Sequence, residues 1–278
     1  MNESNTGTRW KPSPAIKTSA ALHLGAAAAL GLGVAWPWAV GTLVANHALL
    51  TAAGLWPRST MLGANMRHLS PEACAAGQVA ITIDDGPHPQ VTPAVLDILD
   101  ASNAKASFFC VGRAVEAYPE LAREMVMRGH SIENHSYTHP HHFSLMGMNA
   151  LKTEISKAQD AIFQATGYKS KYFRAPAGLR SPLLDPVLQN LNLELVSWTR
   201  RGFDTVTQDP DKVRERLEHK LKAGDILLLH DGNCAITSTG RPVILEVLPK
   251  LLSKLQNLSL QAVSINYAFN KIIQALPG

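Results

Sequence analysis

Cysteine is scarce in this chain: Cys74, Cys110 and Cys234 are the only three among 278 residues, widely spaced and without a CxxC pair. That pattern removes a disulfide framework and a thiolate zinc site from consideration, and the three read as buried or incidental thiols. Charge is sparse as well, at 17% Asp, Glu, Lys and Arg, against about a quarter in ordinary soluble domains. With 46% of residues apolar, intrinsic disorder is excluded. The formal net charge of +4 does not mark a nucleic-acid partner: Arg9, Lys11, Lys17 and Arg58 face Glu3 alone in residues 1–58, and the two signs interleave thereafter. Without a basic face on the folded part, no nucleic acid is expected. Neither GxGxxG nor GxxxxGK[ST] follows the first predicted strand, so dinucleotide and phosphate loops are missing too.

The scarcity of charge is concentrated. Residues 20–56 contain no Asp, Glu, Lys or Arg, and about 20 apolar residues suffice to cross a bilayer core. We expect a polar tail over 1–19, a transmembrane segment over 20–56, a linker over 57–78 and a globular domain over 79–278. Trp36-Pro37-Trp38 stands at the centre of the run. Proline between two tryptophans suits a turn at a membrane interface, which divides the run into 20–36 and 38–55; a single kinked span is the other reading. Trp10 and Trp56 are candidate interface anchors. Basic residues flank both ends, so the positive-inside rule leaves the side of the following domain open.

From Val79 onward short β-rich runs alternate with helical stretches, the pattern of parallel βα units. Strands are expected at 79–83, 106–111, 131–133, 172–174, 194–198, 225–229 and 260–263, and a last helix at 265–275. Thr92-Pro93 reads as the cap and first position of a helix. The fold class implied is α/β: a closed or nearly closed (β/α) barrel of about seven parallel strands, preferred over a doubly wound open sheet and preceded by one or two hydrophobic helices.

Polar residues gather just after those strands: Asp84-Asp85-Gly86-Pro87, His135 to Pro140, Arg174 to Gly178, Asp204, and His230-Asp231-Gly232. In a β/α barrel these ends share the face that carries the active site. His135 and His139 stand four apart, and on a helical turn that spacing turns both imidazoles toward one metal. A carboxylate as third ligand leaves a position open for water, as in catalytic zinc sites.

The motifs from Thr82 to Pro87, His135 to Pro140, Arg174 to Gly178 and Leu228 to Asp231 resemble, in order, those of the polysaccharide deacetylase family, carbohydrate esterase family 4. The resemblance runs from about Val79 to Ala275 and implies a distorted (β/α) barrel with a divalent metal, commonly Zn2+, used to hydrolyse N-acyl or O-acyl groups on sugars. It implies Asp85, His135 and His139 as the metal triad and Asp84 as general base. It places His230, on an opposite strand end, as general acid, with Arg174 orienting Asp84, Asp204 pairing with His230, and the backbone N–H of Ala177 facing the oxyanion. Leu228 and Trp198 would wall an acyl pocket. Two departures stand out. Ala177 occupies a position where the family usually has an aromatic, and the fourth motif keeps one aspartate, Asp204, with Asp209 as its alternative. Arg200 and Arg201 beside it are either a solvated pair or a contact for an anionic headgroup, and Asp231 reads as a turn residue bonding backbone.

The reading is a membrane-anchored, metal-dependent deacetylase of an N-acetylated sugar in a polysaccharide or lipid-linked glycan. Its alternatives are hydrolysis of a formyl or other acyl C–N bond, and a catalytically inactive glycan-binding membrane protein.

Overall fold

The computed structural model describes residues 10–33 and 35–274. Residues 1–9 of the expected tail, Arg9 among them, and Ala275, the expected end of the last helix, lie outside the described residues.

The uncharged run forms two helices, α1 (Pro14–Gly31) and α2 (Trp36–Leu55). Helix α1 begins inside the stretch expected to be a polar tail, because Ser13 caps it by accepting the Ile16 N–H at 3.3 Å and Pro14 occupies the first turn. The chain turns at Leu32 and Gly33, the latter at φ 83°, where glycine carries no Cβ penalty. The break therefore precedes Trp36-Pro37-Trp38, and Pro37 lies in the first turn of α2 rather than in the turn itself. The helices pack as a hairpin in which Asn46 Nδ2 donates to Ser19 Oγ at 2.9 Å and the ring nitrogens of His23 and His47 meet at 3.2 Å. Among the described residues α2 alone is both long and apolar enough to cross a membrane.

Among the described residues eight strands follow: β1 (Gln78–Asp84), β2 (Ser107–Cys110), β3 (Ser131–Asn134), β4 (Tyr172–Phe173), β5 (Glu194–Leu195), β6 (Arg200–Arg201), β7 (Ile226–His230) and β8 (Gln261–Val263). All are parallel, in the order β5-β4-β3-β2-β1-β7-β6, with β8 pairing the start of β1. One extended stretch, 194–201, closes the curl, pairing at its start with β4 and at its end with β7. Met66 fills the gap by bridging to Val196, and His68 bridges to Asp225. Within residues 57–78, expected as a linker, Met66 and His68 thus add single bridges to the barrel and Gln78 opens β1.

Both faces of the sheet are buried, and period two sorts its side chains. Val79, Ile81 and Ile83 of β1, with Leu227 and Leu229 of β7, pack on the outer helices. Ala80, Ile226, Leu228 and Phe109 belong to the cluster inside the barrel. By the same alternation Thr82, Asp84 and His230 face inward, at the strand ends where the polar motifs were expected.

The hairpin base is seated on this barrel. Leu50 and Ala53 pack with Leu62, Arg180 N–H donates to Gly54 O at 3.1 Å, and a Cβ on Gly54 would collide with the Arg180 carbonyl. Trp10 donates its indole N–H to Asp185 at 2.7 Å, so it is pinned to protein where an interface anchor was expected.

Candidate active site

Strand β1 ends in two carboxylates that its backbone sends different ways. Asp84 continues the inward face and is buried, whereas Asp85 sits at φ 77° and leaves the strand. A buried carboxylate needs a charged or hydrogen-bonded partner. Arg174 supplies it, donating from Nη1 to Asp84 Oδ1 at 2.6 Å and to Thr82 Oγ1 at 2.9 Å. The same guanidinium donates to the carbonyls of Val196 and Ser197 and lies 4.0 Å from the Phe109 ring centroid. With that many contacts Arg174, itself 1% exposed, fixes the Asp84 oxygens in place.

Asp85, His135 and His139 form one cluster, with a ligand atom of each within 4.8 Å of the others. Asp85 Oδ1 is 3.3 Å from His135 Nε2 and 3.4 Å from His139 Nε2. The two histidines do not share a helical turn: positive φ at Ser136 (63°) and His139 (53°) bends a loop until the rings approach to 4.9 Å. His135 Nδ1 donates to the Arg174 carbonyl at 2.8 Å. That bond leaves the Nε2 lone pair for a cation, as outer partners of metal-bound histidines commonly do. Burial raises the Asp85 pKa, yet the close approach of His135, with His230 and His139, holds it well below the usual carboxylate range. Burial opposes a charge on His135, but Asp84 and Asp85 overcome it and raise its pKa, while burial and His135 lower that of His139. Asp85 Oδ1 is buried without a hydrogen-bond donor, and one carboxylate with two imidazoles is a donor set that fits a divalent cation.

His230 ends β7. It was expected opposite Asp84, but β7 is the neighbour of β1, and His230 is the register partner of Asp84. Asp204, fully buried, accepts from His230 Nδ1 at 2.9 Å and from its backbone N–H at 2.7 Å. Burial works against a cation here; Asp204, then Asp84 and Asp85, outweigh it and raise the His230 pKa to about 9. Asp209 instead caps the helix Pro210–Glu218, which leaves Asp204 as the partner.

Asp84, Asp85, His135, His139, Ala177, Trp198, Leu228 and His230 line one cleft of about 200 Å³. It adjoins a groove of about 790 Å³ that shares Asp85, His139, His141 and Asn233 with it. Arg174 and Asp204 lie behind that wall, bonded to Asp84 and His230. Ala177 has φ 54°. Beside it Gly178 is required by close packing, since a Cβ would come within 2.6 Å of Trp198 and 2.7 Å of Pro57. His88 and Asp231 stay outside the cleft lining: His88 accepts the Gln90 N–H, and Asp231 accepts the Thr92 hydroxyl. Thr92 is thereby a tether to Asp231, and the helix it begins is preceded by Val91.

Sequence reading left Thr205 and Asn233 unassigned, and Arg201 undecided, although all three line the cleft. Thr82 and Phe109, which brace Arg174, were within reach through the alternation of β1 and β2.

The family model described as polysaccharide deacetylase matches residues 73–196, a range that ends before Trp198, Asp204, Leu228 and His230. A chitooligosaccharide deacetylase of Azorhizobium caulinodans is 36% identical over 155 residues, 55% of this chain and 73% of the relative. A peptidoglycan N-acetylglucosamine deacetylase of Listeria monocytogenes is 28% identical over 204 residues, of which the chain spans 41% of the relative's length. Among solved structures, a family 4 carbohydrate esterase from Streptomyces lividans in complex with acetate superposes with TM-score 0.61 at 30% identity, covering 67% of this chain and 91% of that one. A pseudoenzyme of the same family from Bacillus anthracis gives 0.65 at 25% identity, covering 74% and 68%. With the barrel, the ordered motifs and these likenesses in hand, the chain belongs to the polysaccharide deacetylase family.

Proposed function

We propose that this chain is a membrane-anchored, metal-dependent hydrolase that removes the acetyl group from an N-acetylated amino sugar in a polysaccharide or lipid-linked glycan. The observation that carries the reading is the convergence, in one cleft, of the Asp85, His135 and His139 cluster with an Arg174-bound Asp84 and an Asp204-bound His230. A divalent cation, zinc by the chemistry of the donors, would be held by Asp85, His135 and His139 and supplies acidification of water and polarisation of the acetyl carbonyl. Asp84 takes the proton of the attacking water, its other oxygen being occupied by Arg174. Negative charge developing on the acetyl oxygen meets the Ala177 N–H. His230, cationic at neutral pH, gives its proton to the departing nitrogen, so that the C–N bond breaks to acetate and a free amine. Leu228 and Trp198 bound the acyl pocket and favour a short acyl chain.

The likeness to a pseudoenzyme raises a silent glycan-binding role. The complete set of base, acid and ligand groups argues for the active reading. Metal content and acetate release measured together test it. Asp84→Asn should keep the metal and lose about 10²- to 10⁴-fold in rate, the usual worth of a general base. His135→Ala should lose both. Undiminished acetate release from both variants overturns the mechanism.

A further inference from the structure

Arginines 200 and 201 are adjacent in β6, and the alternation of a strand sends them to opposite sides. Arg200 is fully engaged: Nε donates to Asp225 at 2.7 Å, and its two terminal nitrogens reach the carbonyls of His219 and Lys220. Arg201 pairs in register with Leu228 and lines the catalytic cleft beside it. Among the described residues its guanidinium has no hydrogen-bond acceptor and no ion-pair partner, and its Nε is buried unsatisfied. The rings of Trp198 and Phe203, at 5.5 and 5.0 Å, hold it. The carboxylates of the cleft and of the wall behind it are committed elsewhere, Asp84 to Arg174, Asp85 to the two histidines and Asp204 to His230.

A buried donor without an acceptor is costly, and a planar guanidinium fixed on aromatic faces is preorganised for an oxyanion. We infer that Arg201 is a specificity residue that binds a negatively charged oxygen group carried by the substrate next to its acetamido sugar. This deepens the deacetylase reading and rests on it. The group has two chemical sources: a phosphate that links the sugar to a lipid, or a carboxylate on the sugar itself. The surroundings favour the phosphate. Pro57, two residues beyond α2, packs on Gly178 of the cleft wall, and Arg58 donates to the Thr199 carbonyl at 3.2 Å, two residues from Arg201. The hairpin side of the cleft is therefore cationic, where a linker between a membrane and the sugar would pass.

The test uses the full chain in detergent with three probes: methyl N-acetylglucosaminide, N-acetylglucosamine 1-phosphate and N-acetylmuramic acid. Arg201→Gln should raise KM for the phosphate at least about ten-fold, the usual cost of a charge-assisted hydrogen bond, and leave kcat and the neutral probe within about two-fold. Arg201→Lys should fall between, since it keeps the charge and loses the fork. Metal content equal to wild type in both variants shows an intact site. If the carboxylate probe responds instead of the phosphate, the charged group lies on the sugar. Equal loss on charged and neutral probes, or none on either charged probe, overturns the assignment. Should no probe release acetate, the deacetylase reading fails separately, and ligand-observed NMR on the metal-free chain still shows whether phosphate binding needs Arg201.

Discussion

The proton on His230 is the residue whose fate the surroundings most strongly determine. Its pKa of about 9 against an ordinary 6.5 means that the folded state binds this proton more tightly than the unfolded one. The pairing therefore contributes its full stability below pH about 6.5 and loses it as the pH rises through about 9. For catalysis the same shift keeps the acid charged across neutral pH, so the alkaline limb of kcat/KM is expected near 9. Asp204→Asn removes the largest favourable contribution, and a pH–rate profile at constant metal content should show that limb moving down toward 6.5. A limb that stays in place would dissociate Asp204 from this role. The metal side has an opposite sensitivity. Because Asp84 and Asp85 raise the His135 pKa, protons compete for this ligand at higher pH than for a free histidine. Calorimetric zinc affinity should thus fall on acidification earlier than two unperturbed imidazoles would allow, and His135→Ala should abolish that dependence along with tight binding. At this scale the chemistry was readable because ligand types stood at short spacings after strands. The supports were not: nothing in the sequence ties His135 Nδ1 to the Arg174 carbonyl, or separates an engaged Arg200 from an open Arg201.

Elements present a different balance. The alternation of strand and helix was legible, and each expected strand is present within a few residues, because parallel strands buried on both faces are written as short apolar runs. Spatial order was not legible. Sequence order says nothing of β7 lying beside β1, nor of 194–201 serving two neighbours, since those pairings are long-range hydrogen bonds without a local signal. Glu133 shows how the strands are tied. Its carboxylate is fully buried inside β3 and accepts the backbone N–H groups of Lys171 and Tyr172 at 3.0 Å, the Tyr168 hydroxyl at 3.2 Å and Asn266 Nδ2 at 2.9 Å. It thereby fastens β3 to the start of β4 and to the last helix, Ile265–Gln274. Burial raises its pKa to about 7 despite those donors. Removing the acceptor strands several buried donors, so Glu133→Ala should cost about 3 kcal/mol in a denaturant titration. Glu133→Gln, which keeps one acceptor oxygen, should cost less. Equal stability of the two variants would show that the carboxylate does not hold these elements together.

On the scale of the whole molecule, the hairpin and the barrel share one orientation. The Ser13 hydroxyl at the start of α1 donates to the Met61 carbonyl just beyond α2, at 2.6 Å, so the chain enters and leaves the hairpin at the same place. Away from that base, Leu24, Leu30, Leu32, Trp36, Trp38, Val40 and Val44 are exposed. A contiguous apolar surface of this kind needs covering, and a bilayer is the cover we propose. At about 1.5 Å per residue, the 20 residues of α2 reach about 30 Å, roughly the hydrocarbon thickness. The composition showed a long uncharged run but could not place its break, which is made by Leu32 and Gly33 rather than by the conspicuous proline. With the hairpin in the bilayer, as we propose, both ends would lie on one side of the membrane together with the barrel. Reporters fused before Met1 and after Gly278 should give the same sidedness in a protease-protection assay on sealed vesicles. Opposite sidedness would require α1 and α2 to part into a single pass, which would break the Asn46–Ser19 contact and draw one helix off the barrel, and the hairpin reading would fail. If the reporters agree, a variant carrying Gly54→Leu provides the complementary measurement. Its side chain collides with the Arg180 carbonyl, so the barrel should loosen from the hairpin and become more protease-sensitive at 57–62 while the sidedness of both reporters stays unchanged.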